Sequence, residues 1–231
     1  GDADLRIKED YLRILRFFRF FGKFGNQIDQ NSLNFCIKNK SFIKNLSRER
    51  IKSEFDLILK LSNFSDIITL MNDLSILQEI LPISDLKLDK FISAKNGANK
   101  FATHLTNETK YALLFSLGGI VTYSQLINLK FSRIEAKIIS DLLSMLQQKD
   151  IDECFLKEIW LEKNNFSQFF VFLASMFQVE KQIEGMFLAL KDRQKPLFPI
   201  NGNDITSCGI SGIMVGKEIT YIKRKWIESD F

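Results

Sequence analysis

The sequence predicts an all-α fold, and three observations predict it. Prolines and glycines are scarce, at 3 and 11 in 231 residues. Apolar residues recur at helical spacing along most of the chain. Few of the turn signals that would punctuate a many-stranded sheet are present. A hydrophobic share of 45% supplies a core, and the length allows one large domain or two small ones. The 22 phenylalanines fall largely at helical spacing and read as packing.

Residues 7–24 read as one helix, dominated by Ile, Leu and Phe, with Gly22 and Gly25 as its stop. Residues 31–39 form a short second helix. Ser47 is an N-cap for a third. Arg50 occupies the position where Glu or Gln would complete a capping box, so that signal is partial. Ile51, Phe55, Ile58 and Leu59 then draw one apolar stripe. Residues 65–74 repeat the period with Ile67, Ile68, Met71 and Leu74 inward, and 77–81 add a short turn that Pro82 ends. A helix over 86–94 leads to a turn at Asn96-Gly97-Ala98-Asn99. Helices follow over 108–117, closing on Gly118-Gly119, and over 122–129, 132–149 and 152–163. The run 168–193 is the longest periodic stretch of the second half, broken at Lys195-Pro196-Leu197-Phe198-Pro199. Gly202, Gly209, Gly212 and Gly216 crowd a segment expected to be loop and turn, before a last helix over 215–226. There is no repeat of solenoid period.

The net charge of +4 is compatible with a polyanionic partner without requiring one. Cys36, Cys154 and Cys208 are odd in number and far apart, which argues against a disulfide framework or a zinc site and fits a reducing, cytoplasmic setting. The lone His104 cannot build a His-based metal site. No apolar stretch reaches membrane-span length and no secretory signal is present, so no membrane partner is expected. The chain starts at Gly1 and not at Met, and reads as a fragment, a processed product or a trimmed form.

On a helical wheel with Arg13 at zero, Glu9 lies near −40°, Asp10 near +60°, Arg16 near −60° and Arg19 near −120°, at about 100° per residue. The charged residues share roughly half the circumference, and Leu12, Ile14, Leu15, Phe17, Phe18 and Phe21 take the rest. Spacing alone favours a solvated face, with Glu9 and Arg13 paired at i, i+4.

The literal string says more. Glu9-Asp10-Tyr11-Leu12-Arg13-Ile14-Leu15-Arg16-Phe17-Phe18-Arg19-Phe20 resembles the E-D-x-x-R-x-x-R-x-x-R-F signature of class II tRNA nucleotidyltransferases, the CCA-adding enzymes and the similar bacterial poly(A) polymerases. Glu49-Arg50-Ile51-Lys52-Ser53-Glu54-Phe55 resembles the family's E-R-I-x-x-E segment, which packs beside the base-selecting helix. Phe198-Pro199-Ile200-Asn201-Gly202-Asn203-Asp204-Ile205, with Gly209 and Gly216 behind it, resembles the tail signature. All three stand in the family's order.

The resemblance implies an elongated helical neck (1–60), body (61–195) and tail (196–231). It implies that Asp10 and Arg13 select the incoming base, with Glu9 holding the arginine, Arg16 beside them, and Arg19, Glu49 and Arg50 in support. Cytosine and adenine both offer an exocyclic amine beside a ring-nitrogen acceptor. A carboxylate accepts from the first and a guanidinium donates to the second. Guanine and uracil put a carbonyl where the amine should be, and the mispaired groups cost several kcal/mol. The implied substrates are CTP and ATP, and the implied partner is tRNA, gripped through phosphates and shape. Candidate contacts are the basic residues Lys191, Arg193, Lys195, Lys217, Lys223, Arg224 and Lys225, with Gly202, Gly209 and Gly216 admitting a close backbone approach. Any one of these cations reads equally as part of a solvated face, and the glycines equally as tight turns.

Nucleotidyl transfer needs carboxylates that hold Mg²⁺ against the triphosphate, and the family keeps them as a D-x-D pair in an N-terminal head. Asp2-Ala3-Asp4 follows no Gly-Ser turn and is read as loop or N-cap. The head, and with it the Mg²⁺, is expected to be separately encoded or removed. Alternatives are part of a poly(A) polymerase, a stand-alone RNA-binding module from a split gene, and an unrelated helical scaffold, which three ordered motifs disfavour. Incubated with tRNA lacking its 3′ end, Mg²⁺, CTP and ATP, this chain by itself is expected to leave the RNA length unchanged on a sequencing gel. Extension would overturn the reading that the transfer chemistry lies elsewhere.

Overall fold

The computed structural model describes residues 10–25, 27–84, 88–119, 121–148 and 151–231. Among them there is no strand, and the all-α expectation holds. The helices are α1 (Leu12–Phe24), α2 (Gln30–Asn39), α3 (Arg48–Leu59), α4 (Phe64–Asp73), α5 (Leu77–Ile80), α6 (Asp89–Lys100) and α7 (Asn107–Gly118). They continue with α8 (Tyr123–Asn128), α9 (Arg133–Ser144), α10 (Glu153–Glu162), α11 (Phe166–Met176), α12 (Lys181–Leu190), α13 (Gly202–Ser207) and α14 (Ile213–Glu228). Short 3₁₀ turns occupy Lys40–Asn45 and Met145–Gln147. None of the described helices is long and apolar enough to cross a membrane.

Ser47 caps α3 as its sequence suggests, accepting the Arg50 N–H at 3.4 Å. Complete capping boxes start α8 (Thr122 with Gln125), α9 (Ser132 with Glu135) and α13 (Asn201 with Asp204).

Four expectations are corrected. Gly22 does not stop α1, which runs to Phe24 with Gly25 as its C-cap. Gly22 is instead a point of close approach: a Cβ there would lie 2.6 Å from Leu61 Cδ1 and 2.9 Å from Ile67 Cγ1. The cluster Asn96–Asn99 is not a turn but lies inside α6. Phe91, Ala94, Ala98 and Phe101 keep one buried stripe going through it, and that burial outweighs the poor helix propensity of Asn and Gly. The run 168–193 breaks at Phe177, between α11 and α12. The reversal stacks Phe170 on Phe187, centroids 4.0 Å apart, whereas an unbroken helix would hold them about 25 Å apart. In the glycine-rich segment, Gly209 (φ 86°) and Gly212 (φ 64°) do make turns, but Gly202 and Gly216 lie inside α13 and α14.

The described residues pack as two compact units. The first holds the residues up to Gln147 with Val171–Phe177, the second Gln148–Phe170 with Gln178–Phe231, so the boundary falls inside α11. In the first unit, α1 packs on α3 and α4, and Ile14, Leu15 and Phe18 are fully buried. The α3 helix is also tied to α9 and α7. Lys52 Nζ donates to Asp56 Oδ2 and Glu135 Oε1, both at 2.8 Å, and the Tyr111 hydroxyl donates to Asp56 Oδ1 at 2.9 Å. In the second unit, α10 packs on α12 and α14. The Trp226 ring lies 5.2 Å from that of Phe198 and 5.0 Å from that of Phe231, and Trp160 lies 5.7 Å from Phe231.

Lys110, only 3% exposed, donates to the Leu59 carbonyl at 2.6 Å and sits over the Phe64 ring at 4.0 Å. Burial pushes its pKa down from 10.5 to about 8. The folded state thus binds fewer protons here than the unfolded chain between those values, so stability rises with pH across that window. The full rise from this group is roughly 3 kcal/mol. Above pH 10 the buried Tyr111, whose pKa burial raises, acts in the opposite sense. Urea titrations between pH 8 and 10 should show stability increasing for the wild type, and this increase should vanish in Lys110→Met.

Candidate functional site

The turn that leads into α1 brings Asp10 and Arg13 together. The Arg13 N–H bonds to the Asp10 carbonyl at 3.0 Å, so the two residues are one helical turn apart. The Asp10 carboxylate is held on both oxygens. Oδ1 accepts the Leu12 N–H at 3.1 Å, and Oδ2 accepts from Arg50 Nη2 on α3 at 2.7 Å. Beside it, Tyr11 stacks on Phe42, with centroids 4.7 Å apart and planes 14° from parallel. Both Asp10 and Arg13 are half-buried. Glu9 and the Asp2-Ala3-Asp4 stretch lie outside the described residues.

One helical turn further on, Glu54 of α3 is buried at 6% exposure. Its Oε1 accepts from Arg19 Nε, and Arg16 Nε stands 3.7 Å from Oε2. The Arg16 side chain is 46% exposed and the Arg19 side chain 20%. Arg19 is therefore the committed partner and Arg16 the loosely held one. Each oxygen of Asp10 keeps a second lone pair beyond these two bonds.

Of the residues expected in support, Arg50 and Arg19 join this cluster and Glu49 does not. Glu49 pairs with Lys130 at 2.9 Å, and that hydrogen bond lowers its carboxyl pKa. Glu54, the last acid of the E-R-I-x-x-E segment, takes that place instead. The signal for it is a carboxylate inside the apolar stripe of Ile51, Phe55 and Ile58, a position that demands a cationic partner.

The tail candidates are spread along the second unit. Lys195 Nζ donates to the carbonyls of Leu161 (3.4 Å) and Lys163 (3.0 Å), closing the end of α10, and partial burial lowers its pKa. Its charge thus serves the fold first. Arg224 is exposed and bonded to Glu228 at 3.3 Å, and Lys223 is paired with Glu162. Lys217 is exposed on the first turns of α14. Gly216 precedes it, and nothing lies within 4 Å of where its Cβ would be. Among the described residues, no group of three or more His, Cys, Asp or Glu side chains is placed to hold a metal ion.

Residues 25–87 match the family model described as "Probable RNA and SrmB-binding site of polymerase A". Along its whole length the chain is 28% identical to the mitochondrial CCA tRNA nucleotidyltransferase 1 of Mus musculus, of which it covers 54%. It thus spans about half the length of the curated relatives it matches. Its fold is that of part of a CCA-adding enzyme solved with ATP (TM-score 0.68, 18% identity, 99% of this chain and 59% of that one). A CCA-adding enzyme solved with CTP matches equally well (TM-score 0.68, 18% identity, 97% and 57%).

The two anchors from α3 differ in burial, and so should their removal. Arg19→Met leaves the buried Glu54 short of its main partner and should cost about 3 kcal/mol. Arg50→Met, at a half-exposed pair, should cost under about 1 kcal/mol. Chemical denaturation of the two variants checks the difference.

Proposed function

We propose that this chain, 28% identical along its whole length to a mitochondrial CCA tRNA nucleotidyltransferase 1, is the base-selecting and RNA-gripping portion of a CCA-adding class II tRNA nucleotidyltransferase. The whole protein would add CCA to tRNA 3′ ends from CTP and ATP. The observation that supports this reading most is the half-buried Asp10–Arg13 turn, with its carboxylate already aimed by Arg50 and the Leu12 N–H. In this reading the Asp10 carboxylate accepts the amine and the Arg13 guanidinium serves the ring nitrogen of cytosine or adenine, and the two reject guanine and uracil. No nucleic-acid template is needed, because the protein edge replaces the pairing strand.

In this reading Arg16 adds charge beside the nucleotide, Arg19 and Arg50 support the helix and the reading carboxylate, and residues 1–60, 61–195 and 196–231 serve as neck, body and tail. Gly202, Gly209, Gly216, Lys217 and Arg224 are proposed to meet the RNA backbone. Mg²⁺ would be held by a head outside these residues, whose carboxylates would supply the metal chemistry of transfer. The polymerase A description of the family model keeps addition of adenosine tails as a second reading, since adenine is read in the same way.

The test joins this chain to a metal-binding nucleotidyltransferase head and measures incorporation of each nucleotide. Asp10→Ala or Arg13→Ala should abolish the preference for CTP and ATP over GTP and UTP by a factor of roughly 100 or more, with tRNA binding kept. An unchanged preference would sink the assignment. Long adenosine tails with CTP ignored would favour the second reading.

A further inference from the structure

On α1, the face that carries Arg13 does not end with Arg16. Phe20 and Phe24 lie within about 20° of Arg13 on the helical wheel, and they are 48% and 69% exposed. Their rings are stacked, with centroids 6.2 Å apart and planes 18° from parallel. Each carries a cation: Arg19 lies 4.3 Å from the Phe20 centroid and Lys23 lies 5.0 Å from that of Phe24. From Leu12 to Phe24 the helix contains four cations and no carboxylate. Two exposed phenylalanines cost solubility and gain nothing for the core. Interleaved with arginine and lysine, they form the kind of surface on which unpaired bases stack while cations follow the phosphates.

The spacing supports the same partner. Phe20 is seven residues beyond Arg13, about 10 Å along the axis, which is three steps of a single strand at about 3.4 Å per step. A base read at Asp10 and Arg13 must sit next to the end of the RNA it is to extend. The strand leading up to that end then runs past Phe20.

We propose that Phe20 and Phe24, with Lys23, form a stacking platform for the unpaired 3′ nucleotides of the RNA. The proposal deepens the base-selecting reading and rests on it for the direction of the strand. The stacking itself can be measured without any nucleotide.

The experiment uses the 231-residue chain and an RNA hairpin with three unpaired 3′ nucleotides, one of them 2-aminopurine. The same hairpin made blunt is the control. Phe20→Leu/Phe24→Leu keeps apolar bulk and removes the π faces at exposed positions, so folding is not at risk. The wild type should change the 2-aminopurine fluorescence on binding. The double variant should lose that change and bind the tailed hairpin about tenfold more weakly, while binding the blunt hairpin equally. Lys23→Glu should weaken tailed binding in a salt-dependent way with the fluorescence change retained at saturation. Equal binding of the tailed hairpin by wild type and the leucine variant would overturn the proposal. So would equal loss on both hairpins, or self-association of the wild type that the leucine variant abolishes, since a second copy would then cover the rings. Nucleotide preference is measured separately, in the head-joined form, so failure of the platform and failure of base selection are read apart.

Discussion

One buried carboxylate governs how the first helix is presented. Glu54 sits in the apolar stripe of α3, where an unpaired charge would be untenable. It is satisfied by Arg19 and approached by Arg16. Those arginines lie on the same helix as Arg13, and Asp10 leads directly into it, so the partnership fixes the rotation of α1 about its own axis. With that rotation set, Asp10 falls within reach of Arg50, one turn earlier on α3. Two contacts between the same helix pair, one buried and one half-exposed, thus separate holding the helix from aiming its carboxylate.

The α3 helix also carries the network of Lys52 and Asp56 that reaches α9 and α7. It is therefore the common support for the candidate site and for the rest of the first unit. Lys110 joins at its end, donating to the Leu59 carbonyl. That arrangement satisfies a terminal helix carbonyl at the expense of a buried charge, which is why this unit should gain stability as pH rises past 8.

The basic residues divide in a similar way. Arg19, Lys52, Lys110 and Lys195 are spent on internal oxygens. Arg16, Lys23 and Lys217 keep their charges toward the surface. Composition could not sort these two groups, because the net charge of +4 counts them alike. The platform at Phe20 and Phe24 belongs to the outward group and continues the face on which the base would be read.

The sequence by itself determined the helical class, the third-helix cap at Ser47, the motif order and the spacing of Asp10 one turn before Arg13. These are local matters, governed by periodicity and by residues three or four apart. The tertiary structure decided what depends on distant partners. It ran α6 through Asn96–Asn99 because a buried stripe outweighed propensity. It folded 168–193 back on itself so that Phe170 could meet Phe187. It made Gly22 a contact point, and it turned Glu49 to Lys130 while giving Glu54 the central role. The letters around position 54 carried the motif, but which carboxylate faces α1 depends on the crossing of two helices, which no local pattern specifies.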